Sequence, residues 1–273
     1  MTFKSLLTHV RGDSGSLLRV KAAVALAHDL GALLIGLSAA AVPPYLIDPY
    51  GVATADWMPL VADEQAKEAQ AAHAAFRLAA EGVRSGWITS DDLPTLAMAR
   101  AARSADLLIV GGAPAKTDPY SEVDQGELVV TAGRPVLVVP AIGGVLNPRR
   151  VLIAWKDGRE SRRAVADALP FLLKAESILI VTLCAKGELD QRRREAEDVA
   201  GWLGRHGAAP ALVQAAEVPT DLIDTEILAR AQAAKADLIV AGGYGHSRAA
   251  EWILGGVTRS LLQRPPQFVF LSH

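Results

Sequence analysis

Short apolar runs alternate with longer stretches of helical spacing along the whole chain. In the second half the runs predict strands near 150–155, 177–183, 211–215, 237–241 and 267–271. The intervening spacing predicts helices near 159–173, 189–206, 222–234 and 257–263, with Thr220 and Asp221 as the N-cap of the third. The strand runs are rich in Val, Ile and Leu and do not alternate with polar residues, the pattern of parallel strands covered on both faces. Five strands joined by four crossover helices predict a doubly wound sheet.

The pattern then repeats. Ala105-Asp106 followed by LLIVGG matches Ala236-Asp237 followed by LIVAGG, an offset of 237 − 106 = 131. Arg134-Pro135 before VLVVP matches Arg264-Pro265 before PQFVFLS, about 130 apart. Near the starts of the halves, SLLTH from Ser5 pairs with VLIAW from Val151, an offset of 146, and LLIGLS from Leu33 with ILIVTL from Ile178, an offset of 145. The drop from about 145 to 131 leaves roughly 14 extra residues in the first half after its second strand. They fall in the stretch 39–60, whose Pro43, Pro44, Pro49 and Pro59 predict an ordered excursion or lid and not a helix. The turn-rich stretch 143–148, with Gly143, Gly144 and Pro148, separates a domain at 1–143 from one at 149–273. The expected fold is α/β: two tandem doubly wound, Rossmann-like domains, each a five-stranded parallel sheet flanked by helices.

Composition supports that picture. A chain of 273 residues suits two domains of about 135. Hydrophobic residues at 51% and charged residues at 21% confine disorder to short loops. A net charge of -2 offers no basic field, so nucleic acid is not an expected partner. The single cysteine, Cys184, excludes an intrachain disulfide, fits a reducing compartment and reads as a buried, inert thiol. The start, MTFKSLLTHVRGD, does not read as a signal peptide. The uncharged run 30–47 is broken by Gly31, Gly36, Ser38, Pro43 and Pro44, so it reads as strand plus loop and not as a membrane span. A soluble, cytoplasmic protein is expected.

In a doubly wound sheet, ligands collect beyond the C-terminal strand ends where the strand order reverses. In the second half this brings together the loops at 156–158 and 242–256. The second loop holds Gly242, Gly243, Tyr244, Gly245, His246, Ser247 and Arg248, then Gly255, Gly256, Val257 and Thr258 as a helix begins. Glycines let backbone amides approach an anion, and a helix start offers free N–H groups and its dipole. The same glycines serve equally well as a tight loop and cap. His246 and Arg248 are anion contacts or plain exposed loop residues. No GxxxxGK[ST] is present, and Gly243-Tyr244-Gly245 lacks the third glycine of a dinucleotide loop. Ser247 between Gly245 and Ala249 has the form of a nucleophile elbow, but only Glu251 and His273 follow as acid and base. Gly255 and Gly256 also suggest loop where an elbow needs helix. His9, His28, His73, His206, His246 and His273 are scattered without ligand spacing, so no metal site is expected. The charged stretch 188–198 has the i, i+4 spacing of a solvated helix face.

These residues resemble the universal stress protein family in its tandem two-domain form. Nucleotide-binding members carry Gly-x2-Gly-x9-Gly-Ser/Thr after the fourth strand, and Gly242, Gly245 and Gly255 stand at that spacing. The ADLIV run before the loop and the RPPQFVFLSH ending after it are also similar to the family, and the likeness covers both halves. The resemblance implies an adenine nucleotide alpha hydrolase-like fold. It also implies a site for ATP or AMP, with Mg²⁺ if ATP, built from the first-strand loop (Ala154, Asp157), the second strand's end (Leu183) and the glycine loop (Gly242, Gly245, His246, Ser247, Arg248, Gly255, Gly256, Val257, Thr258). Trp155 and Trp252 flank this crevice in sequence, to stack on an adenine or to pack the loop. The chain departs from the family in three respects. Gly256 replaces the Ser/Thr, with Thr258 two residues on. Lys156 falls where the family's adenine-contacting Asp belongs, and Asp157 serves only if the loop shifts by one. In the first half, after Gly111 and Gly112, Pro114 replaces the second motif glycine and removes an N–H, and Asp124 falls at the third. The first half is therefore expected to be degenerate, a partner and scaffold. Family members pair through their last strands, a pairing that a tandem chain could make within itself; a further homodimer is left open. No residue offers a convincing general base, so at most weak ATP hydrolysis is expected. A second reading is a stress-response interaction module that acts through protein partners without a nucleotide. Gly256 and Lys156 favour it and the intact glycine spacing opposes it.

Overall fold

The computed structural model describes residues 2–41, 58–112, 118–244, 256–263 and 265–273. The first half runs β1 (Ser5–His9), α1 (Ser14–Leu30), β2 (Leu33–Ala39), α2 (Met58–Ala79), β3 (Ser85–Ser90), α3 (Pro94–Ala101), β4 (Leu107–Gly111), α4 (Gln125–Thr131) and β5 (Val136–Val139). The second runs β6 (Arg150–Ala154), α5 (Arg159–Asp167), α6 (Leu169–Leu172), β7 (Ser177–Cys184), α7 (Leu189–Arg205), β8 (Ala211–Glu217), α8 (Ile223–Ala233), β9 (Leu238–Gly242), α9 (Gly256–Gln263) and β10 (Phe268–Ser272).

The strands form one ten-stranded sheet in the order β3-β2-β1-β4-β5-β10-β9-β6-β7-β8. Each half is a parallel five-stranded unit, and the halves meet where β5 and β10 run antiparallel, Val138 opposite Val269 and Leu137 opposite Phe270. One face carries apolar residues of α1, α2, α5, α6 and α7, and the other those of α3, α4, α8 and α9. β1 and β6 therefore send their following helices to one face, while their neighbours β4 and β9 send theirs to the other. This is the switch point of a doubly wound sheet, and there is one in each half. Among the described residues no helix is long and apolar enough to cross a membrane.

Local details differ from expectation at four places. The predicted helix 159–173 is two helices, because Pro170 has no N–H to continue the ladder past Ala168. Thr220 and Asp221 do not cap α8: they lie in a 3-10 turn closed by the Leu222 N–H on the Pro219 carbonyl, and Leu222 precedes the helix without a side-chain cap. Pro59 is helical, in the first turn of α2 where a missing N–H costs nothing; the rest of the proline-rich stretch, 42–57, lies outside the described residues. The register corrects two offsets. Leu6 pairs with Leu107 and Val151 with Leu238, so 131 between β4 and β9 makes it 151 − 6 = 145 between β1 and β6. Leu34 and Ile178 then correspond, at 144.

The repeated Ala-Asp pair has a structural role. Asp106 accepts the N–H groups of Lys4 (2.8 Å) and Ser5 (3.0 Å) and the Ser5 hydroxyl on one oxygen, clipping the start of β1 to β4. Burial pushes its carboxyl up, but these three donors outweigh that and hold it below its ordinary value. Asp237 does the same in the second half, accepting the Arg150 N–H at 2.9 Å and the Arg150 guanidinium at 3.0 Å. Asp106→Ala strands two amides and is expected to cost about 1–3 kcal/mol in urea unfolding. Asp237→Ala, whose bonds are exposed, is expected to cost less.

Candidate functional site

The second-half crevice lies over the ends of β6 and β9. Ala154 and Leu183 are half-buried on the face that packs α8 and α9. Trp155, one residue on, is buried on the opposite face beside α5, and its indole N–H has no hydrogen-bond partner among the described residues. It packs the core and is not on the side of Ala154. Asp157 turns to α5, where Arg162 holds both its oxygens, Nε to Oδ1 at 3.0 Å and Nη2 to Oδ2 at 2.6 Å. Gly242 ends β9 directly against the first turn of α5: a Cβ there would stand 2.6 Å from the Ser161 nitrogen. Glu160, in that same turn, is buried. Burial raises its carboxyl pKa, while Arg159 (Nε to Oε1, 2.6 Å) and its own N–H lower it, for a net shift down.

The chain then crosses to the first half. A Cβ on Gly243 would stand 2.5 Å from Val129 Cγ1 on α4. Tyr244, at φ 56°, lays its hydroxyl against Gly126 at the start of α4. Burial, with Asp124 nearby, pushes that phenol up to about 12. The Tyr244 N–H reaches the hydroxyl oxygen of buried Thr258 at 3.4 Å, which ties the loop's entry to its exit. Gly245, His246, Ser247, Arg248 and Gly255, with Glu251 and Trp252, lie outside the described residues. Gly256 opens α9, with open space where a Cβ would be, and Val257 is half-buried. His273 donates Nδ1–H to the Gly243 carbonyl (3.0 Å), which leaves Nε2 to accept from Arg159 at 3.2 Å.

At the phosphate end the described residues fit a nucleotide: an unencumbered glycine opens a helix at the switch point. At the adenine end they do not, because Asp157 is fully engaged by Arg162 and Lys156 stands at the preceding position. Among the described residues no group of His, Cys, Asp and Glu is placed to hold a metal ion.

The first half, expected to be degenerate, carries a cleft of about 260 Å³ at its own switch point. His9, Arg11, Arg19, Gly111, Glu122 and Gln125 are on its walls. Arg19, on α1, donates Nε–H and Nη2–H to the His9 carbonyl at 3.0 and 2.8 Å. Its Nη1 lies where a Gly111 Cβ would be crowded at 3.0 Å. Arg11 is matched by Glu122 (3.2 Å) and Asp13 (3.8 Å), whereas no ion pair of Arg19 occurs among the described residues. His9 is buried and donates Nε2–H to the Ala39 carbonyl at 3.4 Å. Burial and the Arg19 charge push its pKa down to about 3, so it is neutral. Sequence reasoning missed this set because no motif contains it. The one available signal was Arg19 itself, a charge between Leu18 and Val20 on a helix that otherwise repeats an apolar face.

No protein-family model and no curated protein matches the sequence. Solved structures do match. Over 98% of its length the chain is similar to 95% of a universal stress protein from Archaeoglobus fulgidus DSM 4304, at 15% identity and a TM-score of 0.69. The chain has the tandem universal stress protein fold. Over 99% it is also similar to 92% of a functionally unknown protein from Pseudomonas aeruginosa PAO1, at 18% identity and a TM-score of 0.60. A candidate universal stress protein from Pseudomonas aeruginosa UCBPP-PA14 matches over 99% of this chain and 93% of its own, at 17% identity and a TM-score of 0.60. In the language of the universal stress protein fold, both halves carry a complete switch point, but their walls differ. The second has its helix start pressed on Gly242, and the first has an open cleft.

Proposed function

We propose that the chain is a universal stress protein, a stress-response regulatory protein, with domains at 1–143 and 149–273. In this reading the second domain alone binds an adenine nucleotide, ATP or AMP, with Mg²⁺ accompanying ATP. The observation that carries it is that Gly242 closes β9 and Gly256 opens α9, with Gly245 and Gly255 between them at the motif spacing. Backbone amides without a Cβ, next to a helix start, suit phosphate. The first domain lacks this device: Pro114 removes one amide, and Asp124 caps α4 by accepting the Glu127 N–H at 2.9 Å. Gly245→Pro is expected to abolish ATP binding in equilibrium dialysis while leaving the circular dichroism spectrum and unfolding midpoint of the protein unchanged. Unchanged affinity in that variant would put the nucleotide elsewhere.

The Asp157–Arg162 pair favours a second reading, an interaction module that needs no nucleotide. Arg162→Ala separates the two. It frees Asp157, so a nucleotide site gains affinity for ATP, while an interaction module still binds none.

A further inference from the structure

The two halves treat the start of their first helix in opposite ways. With the 145 offset, Glu160 corresponds to Gly15 and Ala164 to Arg19. The second half thus has a buried carboxylate at the helix start and a small residue one turn on. The first half has glycine at that position, with the Asp13 Oδ1 3.3 Å from where its Cβ would stand, and an arginine one turn on. Residues i and i+4 are neighbours on a helix face, so the space beside Gly15 is the space beside Arg19. Both line the 260 Å³ cleft.

The Nε–Nη2 edge of Arg19 is fixed by the His9 carbonyl, which leaves the Nη1–Nη2 edge of the fork for another acceptor. Arg19 is a half-buried guanidinium in no ion pair among the described residues; burial pushes its pKa down to about 10, against the nearby Asp13 charge, so it remains charged at neutral pH. Neutral His9 adds no charge. The walls argue against phosphate. Asp13 already caps α1 by accepting the Ser16 N–H at 2.7 Å, and Asp124 caps α4, so both helix starts are taken by the protein's own carboxylates. Arg11 and Arg19 are balanced in number by Asp13 and Glu122, so the walls carry no net charge and oppose a dianion; both carboxylates pair with Arg11, and Arg19 is in no ion pair among the described residues. The volume is below the ~300–1,000 Å³ of drug-sized ligand sites, and a nucleotide is drug-sized.

We infer that the first-half cleft binds a small monocarboxylate, its anion on the Nη1–Nη2 edge of Arg19, one helical turn from Gly15. The acidic groups on the rim suit a hydroxy or amino acid, whose hydroxyl or ammonium they can accept from. This inference is independent of the nucleotide reading.

The test is calorimetric titration of the full chain with lactate and with serine, set against inorganic phosphate and AMP. Lactate or serine is expected to bind, and Arg19→Met to weaken that binding by about tenfold or more. Gly15→Glu is the second variant. It sets a carboxylate four residues before Arg19 and beside Asp13, so it is expected to block binding, while a circular dichroism spectrum like the parent's shows that the variant is folded. Binding of ATP to Arg19→Met is expected to be unchanged, so this inference and the nucleotide reading fail separately. The inference is overturned if neither acid binds, or if both variants bind as the parent does. It is also overturned if phosphate or AMP binds in place of the acids with the same dependence on Arg19.

Discussion

Phe270→Ala is expected to lower the unfolding free energy by about 3–5 kcal/mol, the largest loss of any single side chain discussed for this protein. Phe270 is fully buried on β10, beside the antiparallel seam between the halves. Its ring meets Phe171 of α6 edge to face, centroids 5.9 Å apart at 82°, and lies 6.3 Å from Phe3. Phe3 precedes β1 and so belongs to the first half, and it also lies 5.3 Å from Phe171. One ring cluster therefore bridges the two five-stranded units at the centre of the sheet. Truncation removes transfer energy and leaves a cavity between strands too well paired to close it. Urea unfolding checks this. A loss under about 1 kcal/mol would mean that the halves do not share this core.

The second large effect is acid destabilisation through His9. Its folded pKa is near 3, well below the ordinary 6.5. In the folded protein it therefore stays neutral while the unfolded chain takes up a proton. The contribution is fully present above pH 6.5 and is lost as pH falls toward 3, at about 1.4 kcal/mol per pH unit. Between pH 6.5 and 5 the parent is expected to lose about 2 kcal/mol relative to His9→Gln, which keeps a donor for the Ala39 carbonyl but does not titrate. Parallel stability profiles of the two proteins over that range would show that His9 is not buried neutral.

Much of the fold was legible because each strand is a continuous apolar run bounded by turn residues, and each half repeats that order. Register was less legible for the same reason. A run without alternation does not mark which residues share a face, so the offsets for β1/β6 and β2/β7 came out one residue long. The helix break at Pro170 and the lost cap at Thr220 are local effects of proline that helical spacing does not register. The Asp of the repeated Ala-Asp pair was visible as a repeat, but its role is a clip to residues about a hundred positions away. The candidate site divides in the same way. The glycine spacing after β9 is a linear motif and could be read directly. The Arg19 cleft is not linear: it needs the His9 carbonyl, the missing side chain at Gly15 and the close approach at Gly111, which only the folded sheet brings together.

The most direct test of the nucleotide reading is calorimetry of the full chain against ATP with Mg²⁺ at near-physiological salt. The account predicts one ATP per chain, bound in the second half. Two per chain would show that the first half is also a nucleotide site. No heat, with no thermal stabilisation at high ATP, would contradict nucleotide binding and leave the interaction module.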